Sequence, residues 1–184
     1  RELEQILPAD GWVEHRAVDI WKSVLEVGRE MVAKAISLGL TIKVAGITNQ
    51  RETALVWDRK TGEVVYNAIV WQDRRTSTQC KKLSDEGCLV KGRQATGRVL
   101  DPYFSATNIA WIIDNVDGLR SRAVRGELCF GTVDSFLIWK MTGGARHVTD
   151  ATNASRTSLY NIRKGIWDPD LCYLFDVPMA MLAE

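Results

Sequence analysis

The chain has few of the residues on which metal or redox chemistry usually depends. Its four cysteines (Cys80, Cys88, Cys129 and Cys172) form no CxxC pair, and neither of the two histidines lies in a cluster with them. The sequence therefore indicates neither a zinc site nor a redox couple. Reduced thiols in a cytosol are the default expectation for such scattered cysteines.

The chain also lacks an excess of charge of one sign and any long apolar run. Lysine and arginine number 24 against 23 aspartates and glutamates, which gives a net charge of +1. This balance offers no electrostatic case for nucleic acid or for an anionic membrane. No apolar run approaches the ~20 residues that cross a bilayer, and the first residues do not have the form of a signal peptide. We therefore expect a cytoplasmic protein that neither binds nucleic acid nor inserts into a membrane.

A phosphate-binding glycine loop is missing too. The pair Gly143-Gly144 has neither the spacing nor the lysine of such a loop, so we interpret it as the stop of the helix predicted at 133–142. Thr132 is the predicted cap of that helix, and a short strand is predicted at 128–131.

Hydrophobic residues make up 46% of the 184 residues, which is enough for one buried core. Apolar residues at helical spacing predict an amphipathic helix over 17–38, between strand-like runs at 3–7 and 42–47. This order predicts an α/β fold with a parallel β-α-β crossover. The chain opens with Arg1 rather than methionine and ends just past a predicted helix, so we expect both ends to have been cut.

A dense polar segment, GITNQRET at 46–53, follows the strand predicted at 42–47. Ligands bind at the carboxyl ends of strands in α/β sheets, and side chains there can be aimed at them. Arg51 and Glu52 place a donor fork beside an acceptor, which suits neighbouring hydroxyls on a small polyol. The alternative is a solvated ion pair of little energetic value.

Two aromatic residues could complete such a pocket. Strand-like runs at 54–57 and 63–70 predict a hairpin that brings Trp71 beside the polar segment. Tyr103 lies in a rigid turn, DPYFS, where its ring can wall a pocket while its hydroxyl forms hydrogen bonds. Considered alone, each of the two aromatics could equally be a packing residue.

The remaining segments give further local predictions. Arg74 and Arg75 are interpreted as a solvated face, the segment around 87–97 as loops and turns, and Ser105 as the cap of a helix over 105–116. Residues 147–157 are either a hydrogen-bonded turn or a substrate loop. Asp168-Pro169 is a predicted helix start, with aspartate as the N-cap.

Taken together, several long segments resemble the FGGY carbohydrate kinase family, in particular its glycerol-phosphorylating members. They are GITNQRET, IVWQDRR, TGRVLDPYFSATNIAW, GTVDSFLIWKMTGG, HVTDATNASRTSLYNI and WDPDLCYLFDVPMAML, and the resemblance runs in register over 1–184. It implies most of an N-terminal, substrate-side domain with an actin-like, ribonuclease H-like α/β fold, in which a central mixed sheet is flanked by helices. It also implies that the first phosphate-loop hairpin precedes Arg1 and that a nucleotide domain follows Glu184.

The resemblance implies a function and a site. The reaction would be ATP-dependent phosphorylation of glycerol to sn-glycerol 3-phosphate in a homo-oligomer, a dimer or tetramer. Glycerol would be held by Arg51, Glu52, Trp71 and Tyr103, whereas ATP, Mg²⁺ and the catalytic base would be held mainly outside this chain. Residues 1–184 alone are therefore expected to be inactive, with no catalytic residue and no metal ligand of their own.

Two residues depart from the pattern of the resembled family. Asn108 stands where lysine is usual, and Arg98 stands where leucine usually precedes Val99. We expect both to affect only local packing and surface charge. Two other functions stay open: a kinase for another small polyol or a ketose, and a non-catalytic truncated module that acts through subunit contacts.

Overall fold

The computed structural model of the chain describes residues 1–87 and 89–184, so that Cys88 lies outside the described residues. The described residues form short strands and helices. Among them, no helix is both long and apolar enough to cross a bilayer. The strands are β1 (Glu14–His15), β2 (Leu55–Asp58), β3 (Ala68–Ile69), β4 (Leu128–Gly131), β5 (Tyr160–Asn161) and β6 (Ile166–Trp167). The helices are α1 (Ala17–Ser37), α2 (Ser77–Asp85), α3 (Leu89–Thr96), α4 (Ser105–Asn115), α5 (Leu119–Val124), α6 (Val133–Met141), α7 (Ala151–Ala154) and α8 (Pro169–Leu174), followed by a 3₁₀ turn at Met179–Met181.

Antiparallel strand pairs form the centre of the fold. β2 pairs with β4, placing Leu55 opposite Gly131, and β1 pairs with β3. A bridge between Ala54 and Ile69 connects β2 to β3. The predicted hairpin forms, since the Asp58 amide donates to the Glu63 carbonyl at 2.8 Å.

The core lies on both sides of β2. Successive side chains of a strand point to opposite faces. Val56 accordingly packs with the isoleucines of α4, including Ile109, whereas Leu55 and Trp57 pack with α6 residues such as Phe136. The central strand is therefore covered by apolar side chains on both faces.

The predicted parallel crossover is wrong. α1 forms as predicted, but residues 42–47 form no strand, and Val44 is 84% exposed. A strand needs a neighbour to take its backbone hydrogen bonds, and none of the described residues pairs with this segment. α1 buries only Ala17 and Ile20, and the edge strand predicted at 3–7 is reduced to a bridge at Ile6.

Two local predictions also differ from the structure. The glycine-containing segment at 87–97, predicted as loops, includes helix α3. Ser105 begins α4 instead of capping it, because Phe104 occupies the N-cap position and the Ser105 hydroxyl donates to the Glu52 carbonyl at 2.9 Å. That hydroxyl therefore connects α4 to the polar segment.

The turn between β2 and β3 depends on a glycine with a left-handed backbone. Gly62 has φ +70°, and a Cβ atom there would lie 2.1 Å from Cζ3 of Trp139. Gly62→Ala is expected to lower the free energy of unfolding by about 2 to 4 kcal/mol, from backbone strain plus overpacking. Gly143→Ala is the matched control, because Gly143 has φ +60° and open space around it, so only about 1 to 2 kcal/mol is expected. Equal urea midpoints for the two variants would contradict the predicted overlap with Trp139.

Candidate functional site

The polar segment at 46–53 is anchored to the N-terminus of α6 through Asn49. The Asn49 amide donates to Asp134 Oδ1 at 2.9 Å and to Asn153 Oδ1 at 2.9 Å, while its oxygen accepts from the Asp134 amide at 3.1 Å. Asp134 is buried and also accepts from the Thr149 hydroxyl at 2.8 Å. This side-chain network fixes the backbone that leads to Arg51 and Glu52.

Residues 147–157 form the hydrogen-bonded structure that was one of the two predicted alternatives. Asp150 caps α7, accepting from the amides of Thr152 at 2.7 Å and Asn153 at 3.1 Å. The end of this segment also carries Arg156, which contacts the predicted site.

Glu52 is buried and held in an uncommon conformation. Its exposed fraction is 2%, and its φ of +68° lies in the left-handed region, which costs on the order of 1 to 3 kcal/mol for a residue other than glycine. Its carbonyl accepts from Ser105, and its carboxylate forms an ion pair with Nε of Arg156. Surrounding contacts therefore hold this carboxylate in place, and the alternative of a solvated Arg51–Glu52 pair is wrong.

The two predicted aromatics lie against each other, and Tyr103 lies beside this ion pair. The Trp71 and Tyr103 rings have centroids 5.5 Å apart at an angle of 64°. Cζ of Arg156 lies 5.5 Å from the Tyr103 centroid. Trp71 is 38% exposed, so it is not a core residue. The structure thus brings Glu52 and Tyr103 to Arg156, with Trp71 packed against Tyr103.

Arg51, the fourth predicted contact, is exposed. Among the residues that the structure describes, it forms no ion pair and no hydrogen bond from its side chain, and Glu52 is paired with Arg156 instead. A free guanidinium next to a fixed carboxylate leaves the donor available for a ligand.

Arg156 is the residue that sequence reasoning missed. Its side chain is mostly buried, and its partner Glu52 lies 104 positions away in the chain. The one available signal was its place in the polar segment at 147–157, interpreted as a possible substrate loop.

A buried charge cluster centred on Arg75 follows Trp71 in the chain. The prediction that Arg75 belongs to a solvated face is wrong, because its side chain is 0% exposed. The guanidinium donates to Asp73 Oδ2 at 2.8 Å and to Glu14 Oε1 at 2.7 Å, and its Cζ lies 3.9 Å from the Trp12 ring centroid. Burial acts to lower the pKa of Arg75, but its hydrogen bonds to Asp73, Glu14 and a tyrosine hydroxyl raise the net pKa.

Asp73 connects this cluster to the backbone of the turn that carries Trp71. Its Oδ2 accepts from the Val13 amide at 2.7 Å, and its own amide donates to the Val70 carbonyl at 2.8 Å. The cluster therefore sets the path of the chain on both sides of Trp71.

The two departures from the resembled pattern lie at different distances from the site. Asn108 is buried, and its amide donates to the Pro102 carbonyl at 3.2 Å, which supports the turn before Tyr103. Arg98 lies closer to the site than the sequence indicates. Its Cζ is 5.8 Å from the Phe104 ring centroid, and Arg156 lies 5.2 Å from the same ring.

The described cysteines are not suited to nucleophilic chemistry. Burial raises the pKa of Cys80 and of Cys129 to about 11 and that of Cys172 to about 12, so each is a thiol at neutral pH. Within 1–87 and 89–184, no group of three or more histidine, cysteine, aspartate or glutamate side chains is arranged to hold a metal ion.

Comparison with known proteins gives matches over the whole chain. The family model "FGGY family of carbohydrate kinases, N-terminal domain" matches residues 1–184. The chain is 55% identical over 183 residues to the glycerol kinase of Rhodospirillum centenum and 56% identical over 184 residues to that of Agrobacterium fabrum. Each alignment covers 100% of this chain and 37% of the relative, so the chain spans 37% of the length of these curated relatives.

Comparison with solved structures also gives matches over the whole chain. The crystal structure of Plasmodium falciparum glycerol kinase with ADP superposes with a TM-score of 0.94 at 36% identity, covering 100% of this chain and 37% of that one. Xylulose kinase from Rhodospirillum rubrum superposes at a TM-score of 0.86 with 18% identity, covering 100% and 36% of the two chains, which shows the fold alone. The predicted fold class is confirmed by these superpositions.

Proposed function

Because the chain belongs to the FGGY family of carbohydrate kinases, we propose that its protein transfers a phosphoryl group from ATP to glycerol, giving sn-glycerol 3-phosphate. Relatives named glycerol kinase are 54% to 57% identical over the whole chain, which supports this substrate. The observation that carries the proposal is the buried Glu52 carboxylate, which is paired with Arg156 next to the Tyr103 ring of the Trp71–Tyr103 pair.

Four side chains of this chain would bind the triol. Glu52 accepts hydrogen bonds from two neighbouring hydroxyls, and Arg51 donates to their oxygens. Trp71 covers the carbon backbone, and Tyr103 adds a ring and a hydroxyl. Glycerol has few atoms, so its binding free energy has a ceiling on the order of −9 kcal/mol, and each hydrogen bond to a charged group, about 1.5 to 3 kcal/mol, is a large part of it.

We assign ATP and Mg²⁺ mainly to parts of the full-length protein outside this chain. The Plasmodium falciparum enzyme was crystallised with ADP, which supports nucleotide use in the family. Within 1–87 and 89–184 no group of three or more histidine, cysteine, aspartate or glutamate side chains is arranged to hold a metal ion, and we propose no metal ligand and no catalytic base in this chain. Bound Mg²⁺ would neutralise charge on the transferring phosphates. Turnover accordingly needs the rest of the protein.

The resemblance to the family also supports a cytoplasmic homo-oligomer, a dimer or tetramer, as the working form. Sedimentation of the full-length protein across a hundredfold concentration range tests this assembly. A monomer throughout would contradict it.

Removing either charged contact should weaken glycerol binding. Arg51→Ala and Glu52→Gln in the full-length protein are each expected to raise the glycerol dissociation constant about tenfold or more, because a hydrogen bond to a charged partner is lost. Calorimetry with glycerol, and a coupled assay with glycerol, erythritol and xylulose, provide the measurements.

Arg146→Ala is the control, since Arg146 is also an exposed arginine and lies outside the site. It should leave both measurements unchanged. Unchanged glycerol affinity in Arg51→Ala and Glu52→Gln would contradict the site, and phosphorylation of xylulose in preference to glycerol would contradict the substrate.

A further inference from the structure

Three guanidinium groups and one carboxylate belong to this site: Arg51 precedes Glu52 in the chain, Arg156 is paired with Glu52, and Arg98 lies near the Phe104 ring, as Arg156 does. Glu52 is paired with Arg156, which leaves Arg51 and Arg98 without a carboxylate partner among the described residues. Glycerol is neutral and cannot compensate two positive charges. The site therefore has more positive charge than binding the triol requires.

Arg98 is the less expected of the two uncompensated groups. Its Nε is buried and has no hydrogen-bond partner in the described part of the chain. Its guanidinium and that of Arg156 both lie within 6 Å of the Phe104 ring centroid, at 5.8 and 5.2 Å. Leaving a buried donor of a charged group unpaired costs free energy, which a ligand that accepts the hydrogen bond would recover.

The charges around Arg98 also favour the binding of an anion. Burial lowers the pKa of Arg98 first, and the positive charges of Arg156 and Arg51 lower it further, with Glu52 and Tyr103 acting in the opposite direction. Arginine stays charged in proteins, so the result is a local excess of positive charge. Because Arg156 already neutralises Glu52, that carboxylate does not cancel it.

We propose that Arg98, together with Arg51, binds a phosphate dianion beside Glu52. Guanidinium forks match the oxygens of a phosphate group and bind it through two parallel hydrogen bonds. The dianion can be free inorganic phosphate or the phosphate of the phosphorylated triol, and the second identity rests on the proposed function.

The test is calorimetry on the full-length protein with inorganic phosphate, glycerol 3-phosphate and glycerol as separate titrants. Arg98→Leu should weaken binding of the phosphate-containing titrants about tenfold or more and leave glycerol binding within twofold. Arg98→Lys keeps the charge and should restore part of the affinity. Arg93→Leu removes an exposed arginine of α3 and is the matched control, with no expected effect.

The outcomes separate this proposal from the proposed function. Phosphate affinity that depends on Arg98 supports the anion site even if glycerol does not bind, and a tighter Kd for glycerol 3-phosphate than for inorganic phosphate identifies the monoester as the ligand. Phosphate binding that is absent, or unchanged in Arg98→Leu, overturns the anion site even if glycerol binds. Equal loss of glycerol and phosphate binding in both Arg98 variants also overturns it, because Arg98 would then be structural.

Discussion

Replacing Arg75 with methionine should lower the free energy of unfolding by about 3 to 5 kcal/mol. The substitution leaves Asp73 and Glu14 buried without their counter-charge, and breaking a buried ion pair from one side has this cost. Urea and thermal unfolding of the full-length protein, followed by circular dichroism, measure the change.

The neighbouring arginine provides the control. Arg74 is also paired with an aspartate, Asp101, at 2.7 Å, but the two side chains are 51% and 35% exposed. Arg74→Met should therefore cost no more than about 1 kcal/mol. Equal stability losses in the two variants would contradict the buried cluster, and Arg75→Lys should recover little, because lysine lacks the fork that reaches both carboxylates.

Replacing Arg156 with methionine should weaken glycerol binding about a hundredfold or more. Glu52 would lose the guanidinium that holds its carboxylate, and Tyr103 would lose the cation beside its ring. A buried pair broken from one side costs about 3 to 5 kcal/mol, and every 1.4 kcal/mol that falls on binding is a factor of ten. Glycerol titration and steady-state kinetics of the full-length protein measure the effect, which should appear in KM and kcat/KM.

Two comparisons make the Arg156 prediction specific. Arg163→Met removes an exposed arginine seven positions later, whose Nε donates only to the Gln94 carbonyl at 3.1 Å, and should leave the glycerol KM unchanged. Arg156→Lys should recover part of the affinity through its remaining charge. If Arg156→Met unfolds more easily but keeps its glycerol KM, Arg156 only supports the fold and does not position Glu52.

Elements encoded by local patterns were predictable from the sequence. Asp168-Pro169 was predicted as an N-cap followed by the first helical residue, and Asp168 does accept from the Asp170 amide at 3.0 Å at the start of α8. The strand at 128–131 and the glycine stop of α6 were also predicted correctly. In each case the signal lies within a few residues of the element.

Features that depend on distant partners were not predictable in this way. Arg75 looks like a surface charge until Glu14, 61 positions away, is seen beside it. Arg156 and Glu52 are 104 positions apart. The segment at 42–47 is the opposite case. Its apolar pattern predicts a strand, but no described residue forms the backbone hydrogen bonds that a strand needs. Periodicity reports which residues are apolar and does not report what they contact.

The candidate site depends both on local sequence patterns and on contacts between distant residues. The hairpin that is predicted to bring Trp71 near the polar segment forms. The parallel crossover that was expected to present Arg51 and Glu52 does not form, and Glu52 is held instead by Ser105 and Arg156. The assignment of Arg51, Glu52, Trp71 and Tyr103 as glycerol contacts stays a prediction, drawn from the family resemblance.

A crystal structure of the full-length protein with glycerol tests that assignment most directly. We expect electron density for the triol within hydrogen-bond distance of Arg51 and Glu52, with its carbon atoms against Trp71 and the Tyr103 ring. Glycerol bound elsewhere, or these four side chains facing away from it, would contradict the proposed site.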